Sequence, residues 1–168
     1  QAAQIGIGVV NTQFDYDYQP ALQDPLSTVE SGLSVNAVVD VKPGDMVYDS
    51  SGAAVKLEQG VKVFDADGNE VEYDGTSPLK MKQLTSTYKF KDYTWSDGTK
   101  GSIEDFKLAY KIDCDKESGA TTFEVCDQMQ KVDFGTGLEY TVTWLPGSQY
   151  SLYFLAPVGA YNGPYPSH

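Results

Sequence analysis

Histidine is almost missing from this chain: of 168 residues only His168 carries an imidazole, at the very end. Chain ends are where ordered catalytic geometry is least expected. A Ser-His-Asp or Cys-His constellation needs an imidazole held inside a site, and a His-rich zinc centre needs several, so both classes drop out. Cysteine is nearly as scarce, and two thiols cannot build a four-thiolate metal site. Positive charge is thin as well, with 12 Lys plus Arg against 24 Asp plus Glu, a net charge of −12 and a pI near 4.3. Such a field repels phosphate backbones and anionic headgroups, so neither nucleic acid nor a membrane surface is an expected partner. No run of 18 apolar residues exists to insert into a bilayer, and no signal peptide opens the chain. The expectation is a cytosolic protein or a processed or excised piece of an exported one.

What is present is enough for one folded unit. The length is that of one average domain and supports burial of roughly 70% of the unfolded surface, so the mean hydropathy of −0.36 does not imply disorder. Residues 1–37 read as an extended or loosely packed N-terminal segment. Gly6-Ile7-Gly8 lacks the third glycine of a dinucleotide loop, because Asn11 stands in its place, and Phe14 to Pro25 is polar, aromatic and broken by prolines. Residues 38–168 read as a β-rich domain. Short β-like runs at Val38 to Val41, Met46 to Tyr48, Ala53 to Leu57, Val61 to Phe64 and Glu70 to Tyr73 are separated by glycine turns. Tyr48-Asp49-Ser50-Ser51-Gly52-Ala53-Ala54-Val55 and Phe64-Asp65-Ala66-Asp67-Gly68-Asn69-Glu70-Val71 share an aromatic-Asp-x-x-Gly-x-x-Val pattern, which predicts paired hairpins. A stacking array would need at least three copies.

Further along, Leu84 to Phe90 alternates as a strand does, and Tyr93 to Gly98 is a tight turn. Ser102 with Asp105 three residues later makes a capping-box pair, with Glu104 and Asp105 at the positive end of the helix dipole. Ile103, Phe106, Ala109 and Tyr110 then recur at helical spacing, predicting a helix from Ile103 to Lys111. Lys131 to Phe134 and Leu138 to Trp144 flank Gly135-Thr136-Gly137 as a hairpin, with Tyr140, Val142 and Trp144 on one face. Trp95 is expected to anchor the turn before the helix in the core.

Candidate sites are few. Asp65 to Glu70 has the composition of a calcium loop, but the residue five before Gly68 is Val63 where a helical calcium loop requires Asp, so a hairpin turn is expected. Twenty-four carboxylates always allow a glycosidase pair to be drawn, yet nothing linear selects two. Twelve Tyr, seven Phe and two Trp suit either core or a sugar- or peptide-binding groove. Cys114 and Cys126 flank a polar loop containing Ser118-Gly119. They are either two unrelated thiols or a disulfide, which closing about 13 residues contributes roughly 3 kcal/mol and implies an oxidising compartment.

From Met81 to Ile112 the chain resembles a known family. Met81-Lys82-Gln83-Leu84, the alternating strand, Tyr93-Thr94-Trp95-Ser96-Asp97-Gly98-Thr99 and Ser102-Ile103-Glu104-Asp105-Phe106-Lys107-Leu108-Ala109-Tyr110 are similar to the signature stretch of the family 5 extracellular solute-binding proteins. These are the oligopeptide-, dipeptide- and nickel-binding receptors of bacterial ABC importers. Lys100-Gly101 departs from the family's usual Pro and hydrophobic pair. Cys114-Asp115, Ser118-Gly119-Ala120, Cys126, Tyr140 to Gly147 and Tyr165-Pro166-Ser167-His168 resemble a subgroup of it.

The resemblance implies a fragment matching the small, β-rich insert of the first lobe of a periplasmic-binding-protein-like receptor, in a longer parent protein. The expected fold is α+β, mainly antiparallel sheet with hairpins and one or two short helices. The expected function is solute binding, with a short peptide ahead of a nickel complex or an oligosaccharide, for an ABC permease, outside the cytoplasm. That place is the periplasm or the outer face of the cytoplasmic membrane. No catalysis, cofactor or metal is expected. Trp95, Asp97 and Gly98 match the family's structural turn, with Ser102 and Asp105 opening the helix, and no ligand-binding residue carries over. The alternatives are an exported cell-surface adhesion module and a carbohydrate-associated domain.

Overall fold

A computed structural model describes residues 35–90, 92–119, 123–147 and 164–168. The expectations for Gly6-Ile7-Gly8, for Phe14 to Pro25 and for most of the stretch after Pro146 lie outside the described residues. In chain order the strands are β1 (Val35–Val41), β2 (Met46–Tyr48), β3 (Ala54–Lys56), β4 (Lys62–Phe64), β5 (Glu70–Glu72) and β6 (Leu79–Lys89). Helix α1 (Ile103–Asp113), a 3-10 turn (Lys116–Ser118) and the single turn α2 (Phe123–Cys126) follow, then β7 (Met129–Phe134) and β8 (Glu139–Trp144). The fold is α+β and mainly antiparallel sheet.

The sequence dictates where each face of the main sheet goes. Its order is β1-β6-β8-β7 and every pairing is antiparallel. Side chains alternate along a strand, so the even positions Leu84, Ser86 and Tyr88 of β6 share a face with Tyr140 and Val142, across the pairings Ser86↔Val142 and Tyr88↔Tyr140. Helix α1 supplies Phe106 and Ala109 to this face, and Leu84, Tyr88, Phe90, Tyr93, Tyr140, Val142 and Trp144 join them in one buried cluster. Rings dominate it, with Phe90 4.4 Å from Phe106 and 5.5 Å from Tyr140. Each such fully buried ring contributes about 1.5–3 kcal/mol from burial alone.

The odd positions Leu79 and Met81 turn the other way, opposite Val41 and Val39 of β1. There they meet Val47, Leu57, Val63 and Tyr73 in a second cluster built from the hairpins. Strand β6 therefore runs through both cores, which explains why it begins five residues before the alternating stretch that starts at Leu84 and extends to 11 residues. Helix α1 likewise runs two residues past Lys111, to Asp113.

The two hairpins, β2–β3 and β4–β5, are copies of one unit longer than the eight-residue motif. Equivalent backbone bonds recur 16 positions apart: Gly44 N–H to Leu57 O and Gly60 N–H to Tyr73 O, both 2.9 Å, and Asp49 N–H to Ala53 O and Asp65 N–H to Asn69 O, both 2.9 Å. Gly52 and Gly68 hold the same left-handed φ of 88° at the turn, a conformation that disfavours any side chain. Each unit then passes a bond forward, Ser50 N–H to Lys62 O and Ala66 N–H to Lys80 O, both 2.8 Å. The hairpins thus stack in series onto the start of β6.

Candidate functional site: a turn and helix gathered on Asp105

The segment between β6 and α1 is a tight turn made by its own polar groups. Trp95 N–H donates to Thr99 O (2.8 Å), Gly98 N–H to Trp95 O (2.9 Å), and Thr99 N–H to Asp97 Oδ1 (2.8 Å). Gly98 takes a φ of 90°. Thr94 and Lys100 bridge the two arms, and Gly101 N–H donates to Tyr93 O at 2.9 Å. Gly101 lies against the Tyr93 ring, and a Cβ there would collide with Cζ and both Cε atoms. That contact explains the glycine at this position.

Ser102 leaves the turn in extended geometry and caps α1. The capping box is closed chiefly from its far side, where the Asp105 carboxylate accepts the Ser102 N–H at 3.0 Å. The same oxygen, Oδ2, accepts from the Tyr93 hydroxyl at 2.7 Å and from the Trp95 indole N–H at 3.0 Å. Oδ1 accepts the Ser167 N–H at 2.9 Å. Asp105 is 1% exposed, so its charge would be costly without these donors. Burial raises its pKa, but the bonds from Tyr93, Ser167 and Ser102 outweigh that and hold it below the usual value. Tyr93 shows the reverse, pushed well up by burial and by the carboxylate beside its hydroxyl.

The structure thus places Trp95, Ser102 and Asp105 in direct contact, while Asp97 and Gly98 shape the turn above them. Trp95 does not sit in the core as expected. It is partly buried against the edge of the helix-side cluster, edge-on to Tyr93 at 5.5 Å, and Tyr93 is the fully packed ring. The physical reason is the indole N–H, which must reach Asp105 at the helix entrance and so keeps the ring at the rim.

Sequence reasoning missed the third party. Residues 164–168 lie across the turn and helix: Tyr165 N–H donates to Asp105 O (3.3 Å), the Tyr165 hydroxyl to Asp113 Oδ1 (3.1 Å), and His168 Nε2 meets Asp97 Oδ2 at 2.8 Å. No local signal announces a bond spanning 62 residues. Chemically, Asp105 receives four donors, about the number a carboxylate can accept. Three of the four fall on Oδ2 and one on Oδ1, so the carboxylate acts as a structural anion that ties the turn, the helix start and residues 164–168 together.

At the far end of α1, Cys114 and Cys126 are joined by a disulfide with Cα atoms 5.6 Å apart. It ties the C-cap of the helix to the residues just before β7, and Lys116 adds an ion pair to Asp127 at 3.2 Å. Asp65 to Glu70 is a hairpin turn, in which Asp65 Oδ1 accepts the N–H groups of Asp67 (2.9 Å) and Asn69 (2.8 Å). Among the described residues no group of three or more His, Cys, Asp or Glu is arranged to hold a metal.

Two recesses mark the hairpin side. One, of about 270 Å³, is lined by Tyr48, Asp49, Ser50, Ser51, Phe64 and Gly147. The other is a wider hollow of about 660 Å³ between the first hairpin and the disulfide loop, lined by Asp45, Met46, Lys116, Cys126, Met129 and Leu145 among others. No helix among the described residues is long and apolar enough to cross a membrane. No protein-family model, no curated protein and no solved structure matches this chain.

Proposed function

We infer that this chain is one β-rich domain of the extracytoplasmic solute-binding component of an ABC import system, with a short peptide as ligand and the permease as membrane partner. The observation that carries the reading is the turn–helix unit. Trp95, Asp97, Gly98, Ser102 and Asp105, the residues on which the family resemblance rests, form one hydrogen-bonded assembly in three dimensions, which supports reading them as one structural unit. The Cys114–Cys126 bridge fits an oxidising compartment. The domain is a binding wall without catalysis, its one deeply buried motif carboxylate being committed to protein donors.

In a two-lobed receptor the ligand is enclosed when the lobes close, and the closed form is what a permease reads. A wall open on one side forgoes most of the roughly 70–90% burial a small ligand obtains, and with it most of the affinity. Calorimetry of this 168-residue chain and of the full-length parent against a mixed short-peptide library tests the reading. The parent should bind far more tightly and gain thermal stability in the presence of peptide. Tight binding by this chain alone would make it a self-sufficient module, and a parent that binds no peptide would direct attention to nickel complexes or sugars.

A further inference from the structure

The two tandem hairpins differ at one position that decides what the first is able to bind. In the second, both oxygens of Asp65 are engaged, Oδ1 by backbone N–H groups and Oδ2 by the Asn69 side-chain amide at 3.2 Å. In the first, Asp49 Oδ1 alone takes all three bonds, from Ser51 N–H (2.9 Å), Ser51 Oγ (2.6 Å) and Ala53 N–H (2.9 Å). Ala53 occupies the place of Asn69 and has no amide to offer, so among the described residues Oδ2 receives no hydrogen bond.

Asp49 lines the 270 Å³ recess together with the half-buried Phe64 ring. That volume lies below the range of about 300–1,000 Å³ that drug-sized ligands fill, which suits one side chain and not a whole molecule. Ser50, on the same wall, donates to Glu70 Oε1 at 2.9 Å, which brings a second carboxylate next to the recess. The Ser51 hydrogen bond is the largest of those holding the Asp49 pKa below its ordinary value, so the group is ionised at neutral pH. An ionised carboxylate and an aromatic ring lining one recess, in a chain of net charge −12, select a cation.

The geometry points to this recess as a subsite for one cationic side chain of a peptide, the ammonium of lysine or the guanidinium of arginine, held between Asp49 and the Phe64 ring. That the cation arrives on a peptide rests on the receptor reading above. The site itself rests on the asymmetry of the repeat.

An amide-resolved NMR titration of the 168-residue chain tests it, using N-acetyl-arginine amide and N-acetyl-lysine amide against N-acetyl-norleucine amide and glycinamide. Saturable shifts at Ser51, Gly52 and Phe64 are expected with the two cationic side chains only. Asp49→Asn keeps the Oδ1 acceptor that shapes the turn and should weaken binding roughly fivefold or more. Ala53→Asn should weaken it too, by giving Oδ2 the internal donor that Asn69 gives Asp65. Asp65→Asn should leave it unchanged. Equal shifts from norleucine amide, or unaltered affinity in Asp49→Asn, would overturn the site, and glycinamide matching the arginine compound would overturn its assignment to a side chain. The two readings fail separately. Cation binding here in a parent that binds no peptide removes the receptor, whereas a peptide-binding parent with no cation preference in this recess removes the subsite.

Discussion

Asp105 concentrates more of this molecule's polar energetics than any other described side chain. Each hydrogen bond to a charged group contributes about 1.5–3 kcal/mol, and leaving donors unpaired in a buried site adds a penalty. Asp105→Asn should therefore destabilise by about 3 kcal/mol in urea unfolding at pH 7, more than the roughly 1 kcal/mol expected of Ser102→Ala, whose main loss is a cap. The pH dependence follows from the sign of the shift. The folded pKa of Asp105 is depressed, so its contribution is fully present above the unfolded value near 3.8 and is lost as pH falls through the lower folded value. Asp74 joins it in the same window, held to about 2 first by the Ser77 N–H and then by the Thr76 N–H. Stability should fall below pH 4, and Asp105→Asn should flatten that decline.

Glycine offers a second test at the residue scale. Gly101→Ala forces a methyl into the Tyr93 ring and should cost about 1–3 kcal/mol as overpacking. Gly137→Ala meets nothing within 4 Å and lacks a positive φ, so its midpoint should not move.

Among the elements, the helix is fastened at both ends by different chemistry. Its N-terminus is held by the capping box and the Tyr93 and Trp95 donors, its C-terminus by the disulfide at Cys114. Denatured, unreduced protein should release no free thiol, and Cys114→Ser with Cys126→Ser should lower stability by about 3 kcal/mol, measured by thermal or urea unfolding. The hairpin pair answers to β6 instead. Leu57 is fully buried between the first hairpin and Met81 in the second cluster, so Leu57→Ala should cost about 2–5 kcal/mol. Trp95→Ala, at the rim, should cost less than the same change at the buried Trp144.

On the scale of the whole molecule, β6 is the member shared by both cores, so the hairpin stack and the helix layer are expected to unfold together. A single calorimetric transition, with the two tryptophans near the helix and the far-UV signal coincident, is the expected outcome; two resolved transitions would separate the layers. The proposed import role belongs to this scale as well, because in a two-lobed receptor enclosure of the ligand would come from an opposing lobe.

Local chemistry made much of this legible in advance. The aromatic-Asp-x-x-Gly-x-x-Val repeat, the Ser102–Asp105 spacing and the alternation of Tyr140, Val142 and Trp144 determined hairpins, a helix start and a buried strand face, because each depends on residues within a few positions of one another. Tertiary structure decided the rest. That both faces of β6 are covered, one by helix α1 and the other by the stacked hairpins, follows from what packs on the sheet and not from the strand's own alternation. That Asp105 is the meeting point of Tyr93, Trp95 and Ser167 depends on a segment 62 residues away. That Asp49 Oδ2, unlike that of Asp65, takes no hydrogen bond from the described residues is written in Ala53 against Asn69, but it acquires meaning only when the hairpins stack and Phe64 comes to line the same recess. Short-range hydrogen bonding and side-chain period are properties of sequence neighbours, whereas burial and electrostatic company are properties of the packed chain.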